Sequence, residues 1–330
     1  MSAAPASSPS SPRLLALCGG VGGAKLALGL ERLYGGAVTI VVNTGDDFEH
    51  LGLHVSPDID TVLYTLGGRS DLERGWGRAS ETWQFMKALQ ELGGEAWFQL
   101  GDLDLAMHVE RTRRLRAGVS LTAFTRDVAA KFGIAATILP MSDDRVETTV
   151  ITLDGALPFQ RYFVEKQCKP VVERIEFRGA ERAKASDAVI TALQDPALDA
   201  IIICPSNPYL SIDPILSVCD LYRALKQAKV PIIVVSPLIG GAAVKGPTAK
   251  IMAEIGVPAN SRAMAAHYAG LIDGIIIDES DRADVAMLDV PVCVAPTLMR
   301  SLDDKISLAR ACAEFAMQLK PQTQTAGGTR

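Results

Sequence analysis

The stretch Arg13-Leu14-Leu15-Ala16-Leu17-Cys18-Gly19-Gly20-Val21-Gly22-Gly23-Ala24-Lys25-Leu26 decides the fold. Leu14 to Cys18 is an unbroken apolar run, which suits a parallel strand covered on both faces rather than a half-wet, alternating one. A glycine-dense turn follows, and then an apolar pattern of helical period from Ala24 to Leu33. Strand, glycine turn and helix open a doubly wound sheet, with backbone amides at the helix start facing phosphate. The run is not a P-loop, because Ala24-Lys25-Leu26 lacks Gly-Lys-Ser/Thr, and Lys25 stands where a dinucleotide fingerprint has its third glycine. A generic phosphate loop remains, with Gly20, Gly22, Gly23 and Lys25 as candidates. Tight packing of strand on helix would ask for the same glycines, and Lys25 would serve equally as a solvated charge.

Outward from this turn, strand-length apolar runs recur at Val38 to Thr44, Ala135 to Leu139, Ala200 to Pro205, Ile232 to Pro237, Gly274 to Asp278 and Val290 to Pro296. Helical patterns lie among them at Thr61 to Leu66, Thr82 to Leu92, Pro214 to Lys226, Thr248 to Ile255 and Asp303 to Leu319. The grammar predicts an α/β, doubly wound, mostly parallel Rossmann-like sheet. It breaks at Thr148 to Leu153, Asp154-Gly155 and Phe159 to Phe163, which reads as a β-hairpin. The expected organisation is one domain over 13–320 with an insertion at about 145–185, between Ser/Ala/Pro-rich and polar tails at 1–12 and 321–330.

A chain of 330 residues, 48% hydrophobic and 22% charged, can bury a sizeable core. Its net charge of −5 and pI near 5.5 supply no general attraction to nucleic acid or to an anionic membrane. Any anionic ligand must therefore be held by local groups. Six scattered cysteines with no CxxC pair suit reduced thiols and a cytoplasmic location. No signal peptide or membrane-length apolar stretch is read.

Ligands of such sheets sit beyond the carboxyl ends of the strands, so the residues after each strand carry the chemistry. Asn43-Thr44-Gly45-Asp46-Asp47 places two acids where a dinucleotide enzyme has one, a pattern that suits Mg²⁺. Ser56-Pro57-Asp58-Ile59-Asp60-Thr61 reads as a helix start, where first-turn acids are favoured without any function. The concentration of Asp46, Asp47, Asp58 and Asp60 beyond a phosphate loop points to metal-assisted transfer to phosphorus. Gly101-Asp102-Leu103-Asp104, His108 and Met141-Ser142-Asp143-Asp144 read as exposed acidic turns. Cys204-Pro205-Ser206-Asn207-Pro208, Ser236 to Gly241 and Lys245 offer hydroxyls, amides and a cation to a nucleotide, or are ordinary turn chemistry.

The ordered motifs GGVGGAK (19–25), VVNTGDD (41–47), SPDIDTVLYTLGG (56–68), RGWG (74–77), ETW (81–83), LGDLDLAMH (100–108), ILPMSDD (138–144), PSNPYLSIDPIL (205–216), SPLIGG (236–241) and DESDRAD (278–284) make the chain resemble the 2-phospho-L-lactate transferases, including their bacterial phosphoenolpyruvate branch. The likeness runs from about Leu14 to about Leu319. It implies transfer of a phosphoacyl group (phospholactyl, phosphoenolpyruvyl or phosphoglyceryl) from an acyl-diphospho-5'-guanosine to the ribityl hydroxyl of 7,8-didemethyl-8-hydroxy-5-deazariboflavin, Fo. GMP leaves, Mg²⁺ assists, the pathway is that of coenzyme F-420, and the protein is a cytoplasmic homodimer. Carried over by position, Asp60 and Asp47 are catalytic and metal-binding, and Asp60, Asp58 and Gln99 border the deazaflavin. Gly20, Gly22, Gly23, Lys25, Ser206, Asn207, Ser236, Gly240 and Lys245 fall on the nucleotide side. Leu103 and Met107 replace the family's usual Arg and Thr, which would alter acyl-donor choice. Two other classes share parts of the pattern. One is a non-catalytic nucleotide-sugar-binding regulator, which lacks the SPDIDT, GDLDLAMH and PSNP segments. The other is an NAD-dependent dehydrogenase, weakened by the missing glycine.

Overall fold

The computed structural model describes residues 11–244 and 246–320; Lys245 and most of the two expected tails lie outside the described residues. Seven strands form the central sheet: β1 (Arg13–Cys18), β2 (Val38–Val42), β3 (Thr137–Pro140), β4 (Leu198–Ile203), β5 (Ile232–Val235), β6 (Gly274–Ile277) and β7 (Val292–Val294). Their spatial order is β7-β6-β5-β4-β1-β2-β3, and every neighbouring pair is parallel. Each of the seven apolar runs is therefore a strand of one doubly wound sheet. The chain leaves β1 toward β2 and β3, then crosses back to β4, so the direction of winding reverses between β1 and β4.

The unbroken apolar strands follow from burial on both faces. Leu14, Ala16 and Cys18 join one core cluster with Ile40, Val42 and Ile138. Leu15 and Leu17 join the other with Val41, Ile201 and Ile203. The first face is covered by α1 (Gly20–Tyr34), α2 (Pro57–Leu66) and the C-terminal helix Leu302–Leu319. Gly29 of α1 lets that last helix approach: a Cβ there would stand 2.1 Å from the Lys305 carbonyl oxygen. Gly29→Ala is accordingly expected to cost about 1–3 kcal/mol by overpacking, read as a lower urea midpoint with unchanged m.

The insertion differs from its sequence reading. It is a three-stranded antiparallel sheet ordered Gly155–Pro158, Glu147–Thr152, Val172–Arg178. The second hairpin strand ends at Pro158, and Arg161–Glu165 forms a π-helical turn instead of strand. Phe159, Tyr162 and Phe163 are spaced by three and four, the period of a helix, and Phe159 stacks on Phe163 at 5.4 Å. The predicted helix Pro214 to Lys226 is two, Asp213–Ser217 and Cys219–Gln227, parted at Val218, whose ψ of 108° is extended. Two helices unread in the sequence, α3 (Asp102–Arg116) and Leu121–Lys131, complete the region between β2 and β3. The cysteines are free, with Cys18, Cys204 and Cys312 buried and Cys219 exposed. No helix among the described residues is long and apolar enough to cross a membrane.

Candidate active site

At the reversal point, the loops after β1, β2 and β4 enclose a cavity of about 560 Å³. Its phosphate-like end is the start of α1. Gly20 adopts φ +60°, a conformation L side chains resist, and its amide donates to Asp58 Oδ1 at 2.6 Å. A Cβ on Gly22 would stand 2.4 Å from the Pro205 carbonyl oxygen, and one on Gly23 2.4 Å from Ser206 Oγ. Packing thus demands both glycines, and only Gly22 of the two lines the cavity. Ser206 ties the two strand ends together: its hydroxyl accepts from Gly19 N at 3.1 Å and donates to Gly19 O at 2.6 Å. Asn207 accepts from Tyr209 N and Leu210 N, which leaves its buried Nδ2 unpartnered at the cavity wall.

The acids occupy the other side. Asn43 Nδ2 donates to Asp58 Oδ2 at 2.9 Å and to Asp46 Oδ1 at 3.2 Å, so one amide bridges two carboxylates. Burial, with Asp58 and Asp47 as like charges nearby, holds the Asp46 carboxyl well above the usual range. Burial likewise pushes Asp58 up to about 6, against the lowering effect of its hydrogen bonds from Asn43 and Gly20. Asp60 is held differently. The fully buried Arg111 grips both its oxygens, through Nη1 at 3.1 Å to Oδ2 and Nη2 to Oδ1. His108 Nδ1 accepts from Arg111 Nη1 at 3.3 Å, which places the proton on Nε2, itself 3.3 Å from Asp104 Oδ2. Tyr64 donates its hydroxyl to Asp104.

Asp46, Asp58, Asp60, Asp104, His108, Tyr64 and Gln99 all line the cavity. Asp104 and His108 therefore leave the class of exposed turn and stand on the inward face of α3, four residues apart, with Arg111 three further on. Asp102 remains outside, capping Gln84 and Phe85 through their amides. Asp47 turns away from the main cavity to a smaller one of about 230 Å³, where Oδ2 accepts from Ser56 Oγ at 2.7 Å and meets His54 Nε2 at 3.1 Å. Its neighbour Asp46 lines both cavities. Lys25 lines the main cavity and donates to Met299 O at 3.1 Å. Ser236 lines it too, accepting from Leu238 N. The Gly240 and Gly241 amides are taken by Asp281, at 3.0 Å each, so Gly240 offers no free donor to phosphate. Leu103 is exposed and Met107 is packed in the core, and neither lines the cavity.

A hard cation fits here. Asp60, Asp104 and His108 present ligand atoms within 4.8 Å of one another, and the raised Asp46 and Asp58 carboxyls form the kind of crowded pair a divalent ion relieves. Asp46 and Asp58 are the stronger donors, since the hydrogen bonds they accept come from Asn43, Gly20 and Gln160, whereas Asp60 is neutralised by Arg111.

A sheet that reverses at β1, a glycine turn opening α1 and a cavity spanning amides and carboxylates define a doubly wound α/β protein with its candidate site at the switch point. The sequence profile of the family described as 2-phospho-L-lactate transferase CofD matches residues 14–290. The chain belongs to that family. It is 40% identical over 318 residues to the phosphoenolpyruvate transferase of Streptomyces griseus, covering 93% of this chain and 99% of that protein. It is 39% identical over 310 residues to the 2-phospho-L-lactate transferase of Methanosarcina acetivorans, covering 93% and 98%. Among solved structures it resembles a member of the UPF0052 family from Bacillus halodurans, with TM-score 0.61 and 15% identity over 91% of this chain and 98% of that one. That likeness concerns the fold alone.

Proposed function

We propose that the protein transfers a phosphoacyl group from an acyl-diphospho-5'-guanosine to the ribityl hydroxyl of Fo, releasing GMP, in coenzyme F-420 biosynthesis. One observation carries the reading: a single cavity joins the amide-lined start of α1 to the carboxylates of Asp46, Asp58 and Asp60. The hydroxyl oxygen bonds to the acyl-side phosphorus as the bond from that phosphorus to the bridging oxygen breaks; GMP leaves with that oxygen, and the hydroxyl's proton is released to solvent by way of the Asp60 carboxylate. Gly22 and the open Asn207 amide position the diphosphate, while Gly20, whose amide is given to Asp58, shapes the turn that presents them. Asp60, fixed by Arg111, accepts a hydrogen bond from the attacking hydroxyl and aligns it. Mg²⁺ held by Asp46 and Asp58 would neutralise charge on the diphosphate. Ser236, Thr297 and nearby backbone on the β5 to β7 side suit the guanosine.

The test is incubation of the protein with Mg²⁺, Fo and each of the lactyl, enolpyruvyl and glyceryl donors, with product mass read by chromatography. A phosphoacyl deazaflavin from one donor is the expected result, and no product from any would reject the transferase.

The acid pair gives a second test. Because the Asp58 pKa is higher in the fold, near 6, than in the unfolded chain, its stabilising contribution is full below about pH 4 and is lost as pH rises through 6. The metal-free protein is expected to lose about 3 kcal/mol from this group by pH 8. Urea midpoints between pH 5 and 7.5 check it: a fall that millimolar Mg²⁺ removes is expected, and a flat profile contradicts the ion's placement.

A further inference from the structure

The RGWG segment serves neither the diphosphate nor the carboxylates. Gly75 and Gly77 have φ of +72° and +69°, a pair of left-handed turns that raise Trp76 between them. Its indole is half exposed, yet it lines the cavity. The ring is pinned edge-on against Trp83 at 6.2 Å and 66°, and Arg74 lies 4.6 Å over the Trp83 ring from the other part of the turn. The insertion adds Phe163, exposed at 40% and lining the same cavity, backed by the stacked Phe159. Burying so much aromatic surface around a cavity mouth, with a face left open, is the arrangement that binds a flat heteroaromatic ring.

The transferase reading supplies two such rings, guanine and deazaflavin. Arg78, two residues beyond Trp76, lies 5.5 Å over the Tyr64 ring and donates to Leu103 O, so the RGWG turn packs at the Tyr64 and Asp104 end of the cavity, where carboxylates accept hydroxyl donors such as those of a ribityl chain. We propose that Trp76, assisted by Phe163, is the stacking platform for the tricyclic ring of the acceptor, and so determines acceptor specificity; this rests on the function proposed above.

Steady-state kinetics of wild type, Trp76→Ala and Trp76→Phe at saturating Mg²⁺ test it. Trp76→Ala is expected to raise KM for Fo about tenfold, the usual scale of one lost stacking contact, with kcat within about twofold and donor KM unchanged. Trp76→Phe is expected to recover most of the loss. An unchanged Fo KM, or a raised donor KM in its place, overturns the assignment and leaves the transferase standing. If the wild type turns over no donor, the transferase falls. The platform is then decided by anisotropy of Fo fluorescence on wild type and Trp76→Ala: about tenfold weaker binding to the variant supports it, and equal binding overturns it. Should Trp76→Ala fail to fold, Phe163→Leu replaces it in both measurements with the same two outcomes, a weaker effect on Fo being supportive and none being contrary.

Discussion

Asp46→Asn is expected to lower kcat about 10³-fold while raising, not lowering, the melting temperature of the metal-free protein above neutral pH. The two effects have one cause. Asp46 is buried beside Asp58 and Asp47, so its charge is costly in the empty fold, and its removal relieves that repulsion. An amide keeps the shape and the side-chain contacts, since Asp46 accepts from Asn43 Nδ2 and, at 3.4 Å, from Gln160 Nε2, and the Gln160 amide can turn to present its oxygen. What the amide cannot supply is a charged ligand for the ion beside the diphosphate, and loss of such charge stabilisation is worth two to three orders of magnitude or more. Adding Mg²⁺ should erase the difference in melting temperature by stabilising the wild type alone. Calorimetry with and without Mg²⁺, beside the donor assay, measures both halves. A variant that is inactive and less stable would mean that Asp46 serves the fold.

Arg111→Met should have the largest effect on stability, about 3–5 kcal/mol. Arg111 is fully buried, its Nη1 and Nη2 both engage Asp60, and it also meets His108. Removing it strands Asp60 near Asp104 without a counter-charge. Asp60→Asn alone removes the partner instead, and the double variant removes both members of the ion pair, leaving only the weaker loss of Arg111 to Asp104 and Asp47. The double variant is therefore expected to be more stable than Arg111→Met alone, with a coupling of at least about 1 kcal/mol. Urea midpoints of the four proteins give the cycle, and additive losses would show that the pair is not coupled.

The pair also explains why Asp60 looked so strong in sequence and carries a different weight in the fold. Read along the chain, Asp58 and Asp60 are equivalent first-turn acids of one helix. In space Asp58 turns to the Gly20 amide and Asp60 to Arg111, and that partner lies 51 residues away. Asp46 and Asp47 also separate, in the turn beyond β2: Asp46 lines both cavities, and Asp47 lines only the smaller. Part of the missed network did carry a local signal. Asp104, His108 and Arg111 share one helical face, as do Asp60 and Tyr64, but α3 is charged on most of its surface and shows no apolar stripe to announce a helix.

The sequence by itself determined the sheet. Strand runs such as Leu14 to Cys18 are legible because a strand buried on both faces must be apolar at every position, and the glycines after β1 are legible because a turn at φ +60° and approaches of 2.4 Å admit nothing larger. The order of motifs carried the family. Tertiary structure alone decided which acid faces which cavity, that the Gly240 amide belongs to Asp281, and that Trp76 lines the larger cavity. Those assignments depend on contacts between segments far apart in the chain, such as β1 with β4 and α2 with α3, and a carboxylate's charge, partner and exposure are set by what folds against it.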